Sequence, residues 1–80
     1  MTSILVVEDD AALAELLRYN LEAAGHSVSS VSSAEDAEIA LDEQHHDLLV
    51  LDWMLPNASG IELCRRLRAK SETKSLPILM

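Results

Sequence analysis

The sequence predicts an α/β protein built on a parallel sheet. Three observations carry that expectation. Apolar runs such as Ile4-Leu5-Val6-Val7 and Leu48-Leu49-Val50-Leu51 lack polar alternation, as strands covered on both faces do. The stretches between runs have helical spacing and are too long for hairpins, so successive strands must be joined by crossovers. Carboxylates follow the first and third runs directly, at the strand ends where open parallel sheets form their sites.

The first strand stops at Glu8-Asp9-Asp10, and Asp9 or Asp10 can cap the helix that follows. Leu13, Leu16, Leu17, Leu21 and Ala24 keep helical spacing and predict a core-facing stripe, ended by Gly25. His26 to Val31 is a weaker strand, with Val28 and Val31 as its apolar members. Ser32-Ser33-Ala34-Glu35 matches a capping box opening a second helix, whose stripe is Ala34, Ala37, Ala40 and Leu41. Asp47 to Asp52 is the best strand, four apolar residues bracketed by acids. A loop broken by Pro56 and Asn57 follows. Ser59-Gly60-Ile61-Glu62 reads as another capping box, and its helix has Ile61, Cys64 and Leu67 as the expected buried stripe. After a polar connection over Ala69–Ser75, Leu76 to Met80 reads as a strand with Pro77 near its start, which strands tolerate. The sequence ends inside that strand, which predicts an incomplete domain.

Composition narrows the function classes. With 80 residues, the chain is at most one domain. A net charge of −8 argues against direct binding to nucleic acid or an anionic membrane surface. The charge is uneven: Arg18 is the sole base among residues 1–62, whereas Arg65, Arg66, Arg68, Lys70 and Lys74 follow, a segment that could steer a charged partner. Cys64, the one cysteine, excludes an internal disulfide framework. Neither a membrane span nor a signal peptide is legible, so a cytoplasmic protein is expected. His45-His46 reads as a solvated helix end.

If the first and third strands are neighbours, Glu8, Asp9 and Asp52 converge. Two unit charges ~4 Å apart repel by about 4 kcal/mol at an effective dielectric near 20, so such a group calls for a cation, a raised pKa or separation. Oxygen-only ligands favour Mg²⁺, Mn²⁺ or Ca²⁺. A bland reading remains, in which these acids only cap helices and end strands.

ILVVEDD, then DLLVLDWMLPNASGIELCRRLR, then LPILM together resemble the receiver (CheY-like) domain of bacterial two-component response regulators, closest to the OmpR/PhoB-type transcriptional regulators. The resemblance runs from residue 4 to 80 and implies a flavodoxin-like, doubly wound sheet of strand order 2-1-3-4-5. Residues 1–80 would be the N-terminal part of one receiver domain, without the fifth strand, the last two helices or an output domain. Asp52 then matches the phosphoacceptor, Asp9 the direct Mg²⁺ ligand, Glu8 its acidic partner and Met54 the residue whose backbone carbonyl coordinates the metal. Pro56 and Gly60 match the loop-shaping residues, and Asp10 falls outside the acidic pair. The family's Ser or Thr and Lys that contact the phosphoryl group have no counterpart in this sequence. The implied cofactor is Mg²⁺, with Mn²⁺ as the alternative, and the implied partner is a sensor histidine kinase. Ala11, Ala14 and Glu15 are candidate docking residues. Nucleic acid would be reached only through an output domain. Receivers catalyse their own Asp phosphorylation and dephosphorylation without being conventional enzymes. Trp53 would border the metal site.

Rivals are weaker. A haloacid-dehalogenase-type phosphatase wants a second Asp where Met54 stands, and a dinucleotide-binding unit wants glycines where Glu8-Asp9-Asp10 stand. A receiver fold used only for docking is the remaining alternative. An exposed fourth strand made of Leu76, Ile78, Leu79 and Met80 also predicts self-association.

Overall fold

The structure, a computed structural model, describes residues 2–51 and 60–79. The elements run β1 (Ser3–Val7), α1 (Ala11–Ala23), β2 (Ser27–Val31), α2 (Ala34–Glu43), β3 (Leu48–Leu51), α3 (Gly60–Ala69) and β4 (Ile78–Leu79). The strands form one parallel sheet in the order β2-β1-β3-β4, the expected order. β1 and β3 are central, which is why their sequences are apolar throughout. β2 lies at an edge and carries three serines, all exposed, beside its half-buried valines.

Pleating divides the sheet. Leu5 and Val7 of β1 and Leu49 and Leu51 of β3 join Ala34 and Ala37 of α2 and Leu63 and Leu67 of α3 in the main core. Ile4 and Val6 alternate onto the other face, where α1 lies against β1 and β2. The alanines of α2 let it approach the sheet closely, as its small-residue stripe predicts.

Several details depart from the sequence reading. In α1 the inward ridge is Ala14, Leu17 and Leu21, whereas Leu13 and Leu16 are exposed, at 42% and 56%. Ala14 is thereby buried and unavailable for docking, while Ala11 and Glu15 remain exposed. The physical cause is that, among the described residues, α1 is the helix that packs on this face over β1 and β2, so the leucines to one side of its ridge meet no second described layer. In α3 the buried residues are Gly60, Leu63 and Leu67, with Cys64 packed at the core's margin. Ile61 lies about 120° around the helix from Leu67 and is 55% exposed. The α2 cap falls one residue later than the capping box suggests. The Ser33 carbonyl accepts the first helical bond from Ala37, and its hydroxyl accepts the Asp36 N–H. α1 is capped by Asp10, and Gly25, with φ 96°, takes the left-handed position after Ala24 that the sequence assigns to it.

Candidate acidic site at the strand ends

Register explains how the carboxylates are placed. Val7 pairs with Val31 on one side and Leu51 on the other, so β1, β2 and β3 end level. The Glu8 N–H donates to the Val31 carbonyl at 3.0 Å, extending the ladder one residue past β1. That bond holds Glu8 at the mouth of the sheet, where it is only 7% exposed. Its Oε2 accepts the Asp10 N–H at 3.0 Å. Asp10 turns away: its Oδ1 accepts the Ala12 and Leu13 N–H groups and starts α1. Asp9, between them, is exposed. The three consecutive acids therefore divide into a buried carboxylate, an exposed one and a helix cap, and the local turn decides which is which.

Glu8 and Asp9 border a cleft of about 410 Å³ with Asp36, Ser30 and the N-terminal half of α1. Arg18 also lines it, but its guanidinium pairs with Glu15 at 2.6 Å and more loosely with Glu22 at 3.8 Å. The hydrogen bond and charge of Glu15 hold Arg18 above its ordinary pKa, so it stays charged. With Glu8, Asp9, Glu15 and Asp36 around one cation, the cleft favours a cationic guest over an anion. Buried and exposed carboxylate oxygens side by side suit a hard divalent ion. Among the described residues no three His, Cys, Asp or Glu side chains come together as a metal cluster. Asp52, Trp53, Met54 and Pro56 lie outside the described residues, as does Ser59 of the expected capping box. Gly60 is the buried first residue of α3.

The opposite end of the sheet holds residues that the sequence reading misplaced. His46 is not a solvated helix end; it is 4% exposed, and its Nδ1 lies 3.2 Å from the Ser3 hydroxyl. Burial first, then the neighbouring His45, pushes its pKa below the ordinary histidine value, with Asp47 opposing. It is thus favoured as the neutral ring, not as a cation serving the helix dipole. Asp47 accepts the Ser3 N–H at 2.8 Å and meets His45 Nε2 at 3.0 Å, which lowers its pKa. One signal was available: adjacent side chains leave the backbone in different directions, so His45 and His46 were not bound to share one environment.

The basic segment is also largely matched within the fold. Arg66 and Lys70 of the α3 region meet Glu38 of α2 at 2.8 and 3.4 Å, and Arg65 meets Glu62 at 2.9 Å. The Arg66 hydrogen bond is the main reason that Glu38 stays below the usual carboxylate range. Arg68 donates to the carbonyls of Thr73, Lys74 and Leu76, and the buried Thr73 hydroxyl donates to the Leu67 carbonyl, closing the turn after α3. Four of the five bases make these contacts, but Arg66 and Lys70 share one carboxylate and Arg68 meets only carbonyls, so the segment keeps a net positive charge held in fixed positions.

Residues 4–80 match the model of the response regulator receiver domain family. The phosphate regulon transcriptional regulatory protein PhoB of Rhizobium meliloti is 59% identical over the whole chain, which covers 35% of that relative. The transcriptional regulatory protein AfsQ1 of Streptomyces coelicolor is 45% identical over the whole chain, which covers 34% of it. The chain thus spans about a third of the length of these curated relatives. Among solved structures, the N-terminal domain of a response regulator receiver protein from Methanoculleus marisnigri superposes with a TM-score of 0.97 at 30% identity, over 100% of this chain and 65% of that one. The chemotaxis response regulator CheY4 of Vibrio cholerae superposes with a TM-score of 0.96 at 26% identity, over 100% of this chain and 67% of that one.

Proposed function

The chain belongs to the response regulator receiver domain family, and from that premise we propose that it accepts a phosphoryl group from a sensor histidine kinase on Asp52. The observation that carries this reading is the buried Glu8 beside the exposed Asp9 at the end of β1, level with the end of β3, where Asp52 follows Leu51 in the sequence. Glu8 is fixed by its own N–H and by the Asp10 N–H, so its carboxylate is oriented before any ligand arrives. A Mg²⁺ ion held by Glu8, Asp9, Asp52 and the Met54 carbonyl would, when bound, supply charge compensation for carboxylates and phosphoryl oxygens. An Asp52 carboxylate oxygen attacks phosphorus, the P–N bond to the donor imidazole breaks, and the imidazole keeps that electron pair and takes up a proton. The product is an acyl phosphate. On the family pattern, Pro56 and Gly60 would be the residues that shape the loop before α3. Ala11 and Glu15 are the exposed α1 residues left to contact the kinase. In the longer protein the output is control of transcription, reached through a DNA-binding domain in the cytoplasm; the curated relatives support this by being transcriptional regulators. No described helix is long and apolar enough to cross a membrane.

In the parent protein, Asp52→Asn should abolish acid-stable, hydroxylamine-labile labelling from a phospho-histidine donor; retained labelling would point to another acceptor. Asp9→Ala should flatten the Trp53 fluorescence response to Mg²⁺, while His45→Ala leaves it intact.

A second reading concerns the sheet edge. β4 is outermost among the described strands, and Leu79 is 60% exposed on the same face as Leu13 and Leu16. This supports self-association of the chain through β4. Sedimentation with Leu79→Lys tests it: an unchanged mass distribution refutes the edge contact.

A further inference from the structure

At the end of the sheet opposite Glu8 and Asp9 lies a cleft of about 550 Å³, between the last turn of α2, the start of β3 and the turn entering β4. Leu41, Leu76 and Pro77 give it an apolar wall. Asp42, Glu43 and Glu72 contribute carboxylates, and no Lys or Arg is among its lining residues.

Two of these carboxylates are placed against the local field. Asp42 and Glu43 belong to the C-terminal turn of α2, where the helix dipole is negative, and that turn has no basic residue. Neither has a hydrogen bond or ion pair with any described residue. Several other helix acids are matched, Glu15 and Glu22 by Arg18, Glu38 by Arg66 and Glu62 by Arg65, whereas Glu35 and Asp36 sit in the first turn of α2, where the helix dipole favours them. An unmatched negative helix end that opens onto an apolar wall has an electrostatic vacancy for a cation carried on an aliphatic stem.

His46 is an independent indication. Its ring is 4% exposed and lines the cleft. Nδ1 is taken by Ser3, whereas Nε2 has no partner among the described residues. A nearly buried imidazole that lines the cleft with Nδ1 already satisfied keeps Nε2 as its remaining directional polar contact.

We propose that this cleft docks a basic peptide segment of a partner protein. Lys or Arg heads meet Asp42, Glu43 and Glu72, and their methylene stems lie along Leu41, Leu76 and Pro77. A metal ion is the poorer occupant, because no three ligating side chains converge among the described residues. A small polyamine would match the charges yet leave the apolar wall largely wet. The site lies at the far end of the sheet from Asp9, so it stands whether or not Asp52 accepts a phosphoryl group.

The test titrates the acetylated, amidated hexapeptide Lys-Leu-Arg-Lys-Leu-Arg into the full chain by calorimetry, with the His46 ring followed by NMR. The Asp42→Asn/Glu72→Gln pair should weaken binding ~10-fold or more, which is ~1.4 kcal/mol or more. The charge-matched Glu35→Gln/Glu62→Gln pair, in the first turns of α2 and α3 at the other end of the sheet, should change it by less than ~2-fold, and the His46 ring signals should shift on binding. Equal weakening by the two pairs would reveal mere attraction to an acidic protein and overturn the proposal. Spermidine binding as tightly as the peptide would overturn it as well, because the apolar wall would then contribute nothing.

Discussion

On one face of the sheet, Leu5, Val7, Leu49 and Leu51 are sealed by α2 and α3; on the other, α1 is the one described helix over Ile4 and Val6. The strands are the same, and in the central strands β1 and β3 both faces are apolar. The faces differ in how many helices cover them. Two helices bury alanines and leucines completely, whereas beside a single helix Leu13, Leu16 and Leu79 stay exposed. The comparison teaches that an apolar residue at helical spacing is buried only if a neighbour exists to bury it. Charge follows the same division. The Glu38–Arg66 pair links α2 to α3 across the sealed face, while Arg18 pairs only within α1.

Four measurements would sharpen or break this contrast. Leu63→Ala, on the sealed face, should cost about 2–5 kcal/mol in urea unfolding because it opens a cavity in packed surroundings. Leu16→Ala, on the open face, should stay within about 0.5 kcal/mol; equal costs would mean that the open face is covered in solution. The second is the pH dependence. His46 is held below its ordinary pKa of about 6.5. Between its folded and unfolded pKa values the unfolded chain binds more protons, so stability is retained above about pH 6.5 and lost as pH falls below it. His46→Gln should flatten that limb of a stability-versus-pH curve. Asp47 and Glu38 have the same sign at lower pH. Their pKa values are lowered, so their contribution is present above about pH 4 and lost as acid protonates them.

Third, Glu38→Gln should lower stability by about 0.5–1 kcal/mol, because it removes two ion pairs from a partly shielded carboxylate, and the loss should shrink at high salt. Smallest of all, Glu15→Gln, at an exposed pair within one helix, should shift stability by no more than about 0.5 kcal/mol. If Glu15→Gln costs as much as Glu38→Gln, the bridging geometry across α2 and α3 adds nothing.

Much of this was legible in the residues themselves. The unbroken apolar runs of β1 and β3 announced strands covered on both sides, and Gly25 marked the end of α1. The small stripe of α2 was read correctly, since Ala34 and Ala37 are fully buried. At the acidic site, the family resemblance singled out Glu8 and Asp9, and of the two possible caps, Asp9 or Asp10, the bonds to Ala12 and Leu13 select Asp10. The positions of Asp52 and Met54 fall outside the described residues, so their part in the site rests on the family pattern.

What the sequence determined by itself is what short-range chemistry controls: element type, caps, crossovers and the succession of acids after β1. Each depends on residues within a few positions of one another, so the pattern is complete in the chain. Tertiary structure alone decided which side of each helix counts as inside. Ile61 and Leu63 are equally apolar, yet packing on Leu49 and Leu51 selected the phase that buries Leu63. It also decided that His46 is enclosed beside Ser3 and that Glu38 gathers Arg66 and Lys70. Those partners are 43, 28 and 32 residues apart in the chain. No local periodicity encodes such separations, because burial and charge pairing belong to the neighbours that the fold supplies.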